Sequence, residues 1–180
     1  MSTATIFQLQ LVLGYVPWLL LFGAYVWPRL QSMKPIDAQR AIAILHSFRF
    51  FGLVFLVPGV VGSALPSRFA AFCAYGDLAT GVLAMLALLA IRRRAAFWSF
   101  VVAFNAAGMI DILVDYYHGV ELGLAKFAGQ LGAAYAIPIL YVPLLMITHG
   151  TAFYLLLRRP RPQVDERHFA SKSATAALRP

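Results

Sequence analysis

Five long apolar stretches dominate this chain and restrict what it can fold into. They run over residues 6–27, 41–65, 69–91, 95–116 and 135–157. At about 1.5 Å per helical residue, each stretch is long enough to cross a hydrocarbon core of about 30 Å. The composition agrees, since 61% of the residues are hydrophobic and 12% are charged, against about 45–50% and about 25% in soluble domains. The sequence therefore predicts an integral membrane protein.

An α-helical bundle is the architecture that these stretches favour. A backbone that crosses lipid must satisfy its own hydrogen bonds, and the chain lacks the alternating pattern of a membrane β-barrel. We predict an all-α fold in which residues 1–157 form one bundle of five transmembrane helices. We predict that residues 118–134 form a short interfacial segment between helices 4 and 5. We predict that residues 158–180 form a basic, disordered cytoplasmic tail.

The distribution of lysine and arginine predicts the orientation of the bundle. The formal net charge is +8, yet only Arg68 and Lys126 fall on one side of a chain with five spans. The opposite side carries Arg29, Lys34, Arg40, Arg92, Arg93, Arg94, Arg158, Arg159, Arg161, Arg167, Lys172 and Arg179. Because cytoplasmic loops carry such an excess, we expect the N-terminus outside and the C-terminus inside a bacterial cytoplasmic (inner) membrane. The lipid bilayer is then the partner of these charges, and nucleic acid is not.

Five polar side chains lie deep inside the predicted spans. They are Arg49, Asp77, Asn105, Asp111 and His149. Counted from the span ends at the helical rise, Arg49 and His149 lie about 12 Å from the cytoplasmic edge, and Asp77 lies about 12 Å from the outer edge. A charge near the bilayer centre costs about 2.5–3.5 kcal/mol on insertion scales, so these groups should face the bundle interior and be paired.

Small residues accompany the buried polar positions on two helix faces. In span 3, Cys73 and Gly81 share a face with Asp77. In span 4, Gly108 shares a face with Asn105 and Asp111. Faces of this kind allow two helices to approach closely, so they predict a packing seam. Packing the two faces together would let Asn105 donate a hydrogen bond to Asp77.

Two interpretations of this polar interior stay open. In the first, Asp77 is a hydrogen-bonded tie between helices. In the second, the same groups form a site for a proton, an ion or a substrate, because ionisable residues inside a membrane are functional candidates. Arg49 with His149 beside it would suit a small anionic ligand that enters from the cytoplasmic side. We expect solute or ion transport, or assembly of a complex with another membrane subunit.

Two histidines offer an alternative function. His46 and His149 lie on spans 2 and 5 at comparable depth, and such a pair could ligate a b-type haem in an electron-transfer protein. Otherwise we expect no cofactor, no metal site and no catalytic residues. The chain has a single cysteine and lacks phosphate-loop, H-E-x-x-H and nucleophile-elbow motifs. The sequence leaves an enzyme open but does not favour one.

Four stretches carry a resemblance to a known family: "FRFFGLVFL", "LPSRFAAFCAYGDLATG", "NAAGMID" and "VPLLMITHG". By their order and spacing, residues 45–157 resemble a widespread family of small bacterial membrane proteins of unknown activity. The matching positions are Arg49, Gly52, Leu65, Pro66, Phe69, Ala70, Gly76, Asp77, Gly81, Asn105, Gly108, Asp111, Pro143 and His149. The resemblance implies a shared polar interior without implying its use, and His46 is not among its positions.

Overall fold

The structure is a computed structural model that describes residues 1–158. It contains five helices that are long and apolar enough to cross a membrane. They run over Thr3–Ser32 (α1), Pro35–Leu56 (α2), Ser67–Leu89 (α3), Arg94–Glu121 (α4) and Ile137–Leu157 (α5). The prediction of an all-helical chain with five helices of spanning length is confirmed. Apart from Arg158, the predicted tail over residues 158–180 lies outside the described residues.

The second helix departs from its predicted range of residues 41–65. It begins at Pro35, where the missing N–H of proline costs no helical hydrogen bond, and Asp37 lies in the first turn, which the helix dipole favours. Over Phe48–Leu56 the helix tightens into a 3-10 helix, and it ends ahead of a turn at the left-handed Gly59 (φ 81°). Hydropathy misses the true start because the first turns of α2 are polar.

α1 packs on α5 where the backbone of α5 is distorted. Pro143 has no N–H to donate to the carbonyl of Ile139, and the preceding turn of α5 is a π-helix. Gly14 lies directly against that carbonyl, where a Cβ would overlap the oxygen. Trp18 Nε1 donates to the carbonyl of Leu140 at 2.8 Å. The close approach at Gly14 and the hydrogen bond from Trp18 thus join α1 to α5.

The buried core consists of two apolar clusters with polar residues between them. One cluster includes Phe69 and Leu131, and the other includes Phe97 and Phe104. The residues between them, which we call the polar layer, are His46, Arg49, Asp77, Thr80, Asn105, Asp111, Thr148 and His149, all of them buried. Helices α2 to α5 each contribute to this layer, so their polar groups face one another inside the bundle.

The segment that the sequence predicts as interfacial is partly helical. α4 continues to Glu121, and after Gly123 (φ 63°) the chain forms 3-10 turns over Leu124–Tyr135 that are interrupted by a kink at Gly132 (φ 51°). The amide of Gly62, in the turn after α2, donates to the carbonyl of Gln130 at 2.7 Å. The buried face of the segment belongs to the first apolar cluster, so the segment closes one end of the bundle.

Candidate functional site

Arg49 is the centre of the polar layer, and its side chain is 1% exposed. Nε donates to Asp77 Oδ1 at 2.6 Å, and Nη2 donates to Asp111 Oδ2 at 2.5 Å. Nη1 lies 3.3 Å from the carbonyl oxygen of Gly108 and 3.2 Å from His149 Nε2. One guanidinium therefore joins α2 to α3, α4 and α5.

The direct ion pair between Arg49 and Asp77 removes the gap in depth between the two side chains that helical rise from the predicted span ends suggests. The gap came from the late predicted start of α2. Counted from Pro35 instead, with the larger 3-10 rise at the end, Arg49 lies about 20 Å along α2. This brings it to the level of Asp77, so no third group is needed between them.

Asn105 does not donate to Asp77, which corrects the packing predicted from the two small-residue faces. Its Nδ2 donates to the carbonyl of Val101 at 2.8 Å, and its Oδ1 lies 2.9 Å from His149 Nδ1. The amide oxygen can only accept and Arg49 can only donate, so His149 carries its proton on Nδ1 and accepts at Nε2. Asn105 therefore orients the imidazole that faces Arg49.

Glycines make room for the polar layer at four places. The contacts are Gly52 with Asp77, Gly76 with Asp111, Gly108 with Arg49 and His149, and Gly81 with the backbone at Phe50. At the first three, a Cβ would overlap polar side-chain atoms. These glycines therefore seat charged side chains against helix backbones, a role beyond the helix packing that the spacing of Gly81 and Gly108 predicts.

The two candidate haem ligands are in direct contact. The rings of His46 and His149 lie with their centroids 3.9 Å apart and their planes tilted by 34°. His46 Nε2 lies 3.0 Å from Thr148 Oγ1, and both ring nitrogens of His149 have partners. Axial haem ligands face each other across the iron and the porphyrin plane. Rings with centroids 3.9 Å apart leave no space for a porphyrin between them, so this arrangement does not fit the haem alternative.

The surroundings of Arg49 disfavour the small anionic ligand that the sequence suggests. Asp77 and Asp111 already neutralise the guanidinium from two sides. Within residues 1–158, Asp111 Oδ1 is buried and has no hydrogen-bond partner. An incoming anion would meet these carboxylates before it met an unoccupied donor, and the repulsion would oppose its binding.

A cavity of about 260 Å³ opens at the end of the bundle where α1 begins and α4 ends. Its lining includes Arg49 and Asp77 from the polar layer, together with Cys73 and Asp115. Cys73 Sγ donates to Asp115 Oδ1 at 3.1 Å. The apolar part of the wall includes Phe7, Leu11, Phe55, Phe69, Leu131 and Ile137. The cavity thus links the end of the bundle to its central ion pair.

The polar positions predicted from the sequence include neither Asp115 nor Thr148. The structure makes Asp115 half-buried in the cavity wall and Thr148 the partner of His46. A signal for Asp115 was present, because it lies four residues after Asp111 and therefore on the same helix face. Cys73, which its spacing predicts as part of the packing seam, has Asp115 as its polar contact.

A family model described as "Domain of unknown function (DUF8737)" matches residues 6–157. The chain belongs to this family. DUF8737 thus spans the polar layer and the whole lining of the cavity, and the expectation of an uncharacterised family is confirmed. No curated protein and no solved structure matches the chain. The function of this DUF8737 member has to be inferred from its own geometry.

Proposed function

We propose that this protein binds a small solute in the cavity and acts in solute transport, with the polar layer as the element that responds to binding. The main support for this proposal is the cavity that runs from the end of the bundle to the Arg49–Asp77 ion pair. Pockets for small molecules are typically apolar with a few convergent polar groups, and this cavity has that character. A solute there would touch a charge cluster that joins four helices, so binding could alter their packing.

The proposal includes a bacterial cytoplasmic membrane, with the N-terminus outside and the C-terminus inside. Its support is the bias of lysine and arginine toward one set of connections. In this orientation the cavity opens to the outer side, and the segment over Leu124–Tyr135 lies at the outer interface.

Reporter fusions test this orientation. Fusions after Lys34 and Arg93 should place the reporter in the cytoplasm, and a fusion after Lys126 should place it outside, because five spans alternate the connections across the membrane. Alkaline phosphatase and green fluorescent protein activities of the fusions in intact cells measure the two locations. A phosphatase-active fusion after Arg93 would contradict the order of the spans.

Filling the cavity tests the solute-binding function. Ala125 is half-buried and lines the cavity, so Ala125→Trp should block it with little disturbance of the core. We expect this variant to lose complementation of the growth or uptake phenotype of a deletion strain. Ala133→Trp is the matched control, because Ala133 lies in the same segment between α4 and α5, is exposed and does not line the cavity.

Size-exclusion profiles of both purified variants establish that each one folds. If folded Ala125→Trp complements as well as Ala133→Trp at native expression, the cavity has no part in the function. Assembly with another membrane subunit would then replace transport as the proposed role, because assembly does not require an open cavity.

A further inference from the structure

We propose that the cavity takes a small apolar molecule that carries a protonated amine. This inference rests on the proposed solute-binding function and names the chemical class of the solute. The charge balance of the cavity, the free acceptor capacity of Asp115 and the aromatic part of the wall carry it.

Carboxylates outnumber cations at the inner end of the cavity. Arg49 is the one cationic side chain in the lining formed by the described chain, and it is already paired with Asp77 and Asp111. Asp115 adds a third carboxylate and makes no ion pair with any residue up to 158. Lys126 lies near the mouth but is exposed, so water and salt screen its charge. A cationic occupant would balance the remaining negative charge.

Asp115 has acceptor capacity to offer a cation. Its one described side-chain partner is the thiol of Cys73, which is a weak donor and contacts only Oδ1. The imidazole of His118, further along α4, stacks on Phe72 with ring centroids 5.4 Å apart. An ammonium group in the cavity could therefore donate a charge-assisted hydrogen bond to the half-buried carboxylate of Asp115.

The remaining wall suits an apolar body beside the amine. Phe7, Phe55, Phe69 and Tyr116 contribute aromatic rings to the lining. Ring faces attract cations as well as apolar groups, which favours an organic ammonium over a hydrated metal ion. The volume of about 260 Å³ lies just below the range of about 300–1,000 Å³ for typical ligand pockets, which indicates a small molecule.

The test uses three probes of similar size on the full-length protein in detergent micelles. They are 2-phenylethylamine, 2-phenylethanol and phenylacetate, which are cationic, neutral and anionic at neutral pH. Isothermal titration calorimetry should show the amine binding about tenfold more tightly than the alcohol, the effect of one charge-assisted hydrogen bond, and phenylacetate binding most weakly.

Two variants assign this preference to the cavity. Asp115→Asn should bring the affinity for the amine down to that for the alcohol, while Glu121→Gln, at the exposed end of α4 and outside the lining, should leave it unchanged. Ala125→Trp should bind none of the three probes, and it keeps the inference testable if Asp115→Asn does not fold.

Equal affinities for amine and alcohol, a preference for phenylacetate, or an absence of binding by all three would overturn the amine inference. Amine binding that persists in Ala125→Trp would overturn it too, because the amine would then bind elsewhere. None of these results removes the proposed function, which fails only if the blocked cavity still supports complementation. The two failures are therefore distinguishable.

Discussion

Replacement of Arg49 by leucine is expected to lower the free energy of unfolding by about 3–5 kcal/mol, the range for removing one member of a buried ion pair. Asp77 and Asp111 would then face each other inside the bundle without a cation. The measurement is denaturant-induced unfolding of the purified protein in micelles. Arg40→Leu on the same helix is the control, because Arg40 is exposed and should change stability by no more than about 0.5 kcal/mol.

A charge-neutral version of the cluster separates lost charge balance from lost packing. Adding Asp77→Asn and Asp111→Asn to Arg49→Leu should restore part of the stability, because no unpaired charge is then buried. If Arg49→Leu alone is as stable as Arg40→Leu, the ion pairs do not hold the helices together and the assignment of the polar layer is wrong.

Gly76→Ala and Gly108→Ala are expected to lower the free energy of unfolding. The loss should be about 1–3 kcal/mol or more, the range for inserting extra atoms into a well-packed core. The new Cβ atoms would overlap Asp111 in one case, and Arg49 with His149 in the other, so both substitutions displace the charged cluster. The same unfolding assay, combined with the complementation assay, measures the stability and the activity of each variant.

Gly150→Ala is the matched control for these two variants. Nothing lies within 4 Å of its Cβ position, and the residue is exposed within α5. Alanine there should leave stability unchanged or raise it by up to about 1 kcal/mol through helix propensity. Similar small effects at all three glycines would mean that close seating of the charged side chains is not required for folding.

The five helices and the buried polar residues could be predicted from the sequence, because the helices are long and apolar enough to cross a membrane. The bilayer dictates the length and composition of a span, so Arg49, Asp77 and His149 are visible as interruptions of apolar runs. The structure buries all three. The resemblance to an uncharacterised family was also visible in the motifs.

The partners of these residues could not be predicted from helical rise alone. The depth of Arg49 depends on where α2 begins and on its change to a 3-10 helix at Phe48, and hydropathy reports neither. The cavity depends on a long-range contact, in which the segment after α4 packs on the turn after α2. Gly132 (φ 51°) lies against the carbonyl of Val60 there. Local sequence patterns do not indicate a contact between residues so far apart in the chain.

The placement of Arg49 ahead of both its aspartates in the chain has a consequence for biosynthesis. α2 has the lowest mean hydropathy of the five helices, 1.2, and its buried arginine would cost about 2.5–3.5 kcal/mol if the helix entered lipid alone. The neutralising Asp77 and Asp111 emerge from the ribosome later, on α3 and α4. We therefore expect that, during insertion into a bilayer, α2 stays beside the translocon until the next two helices are made.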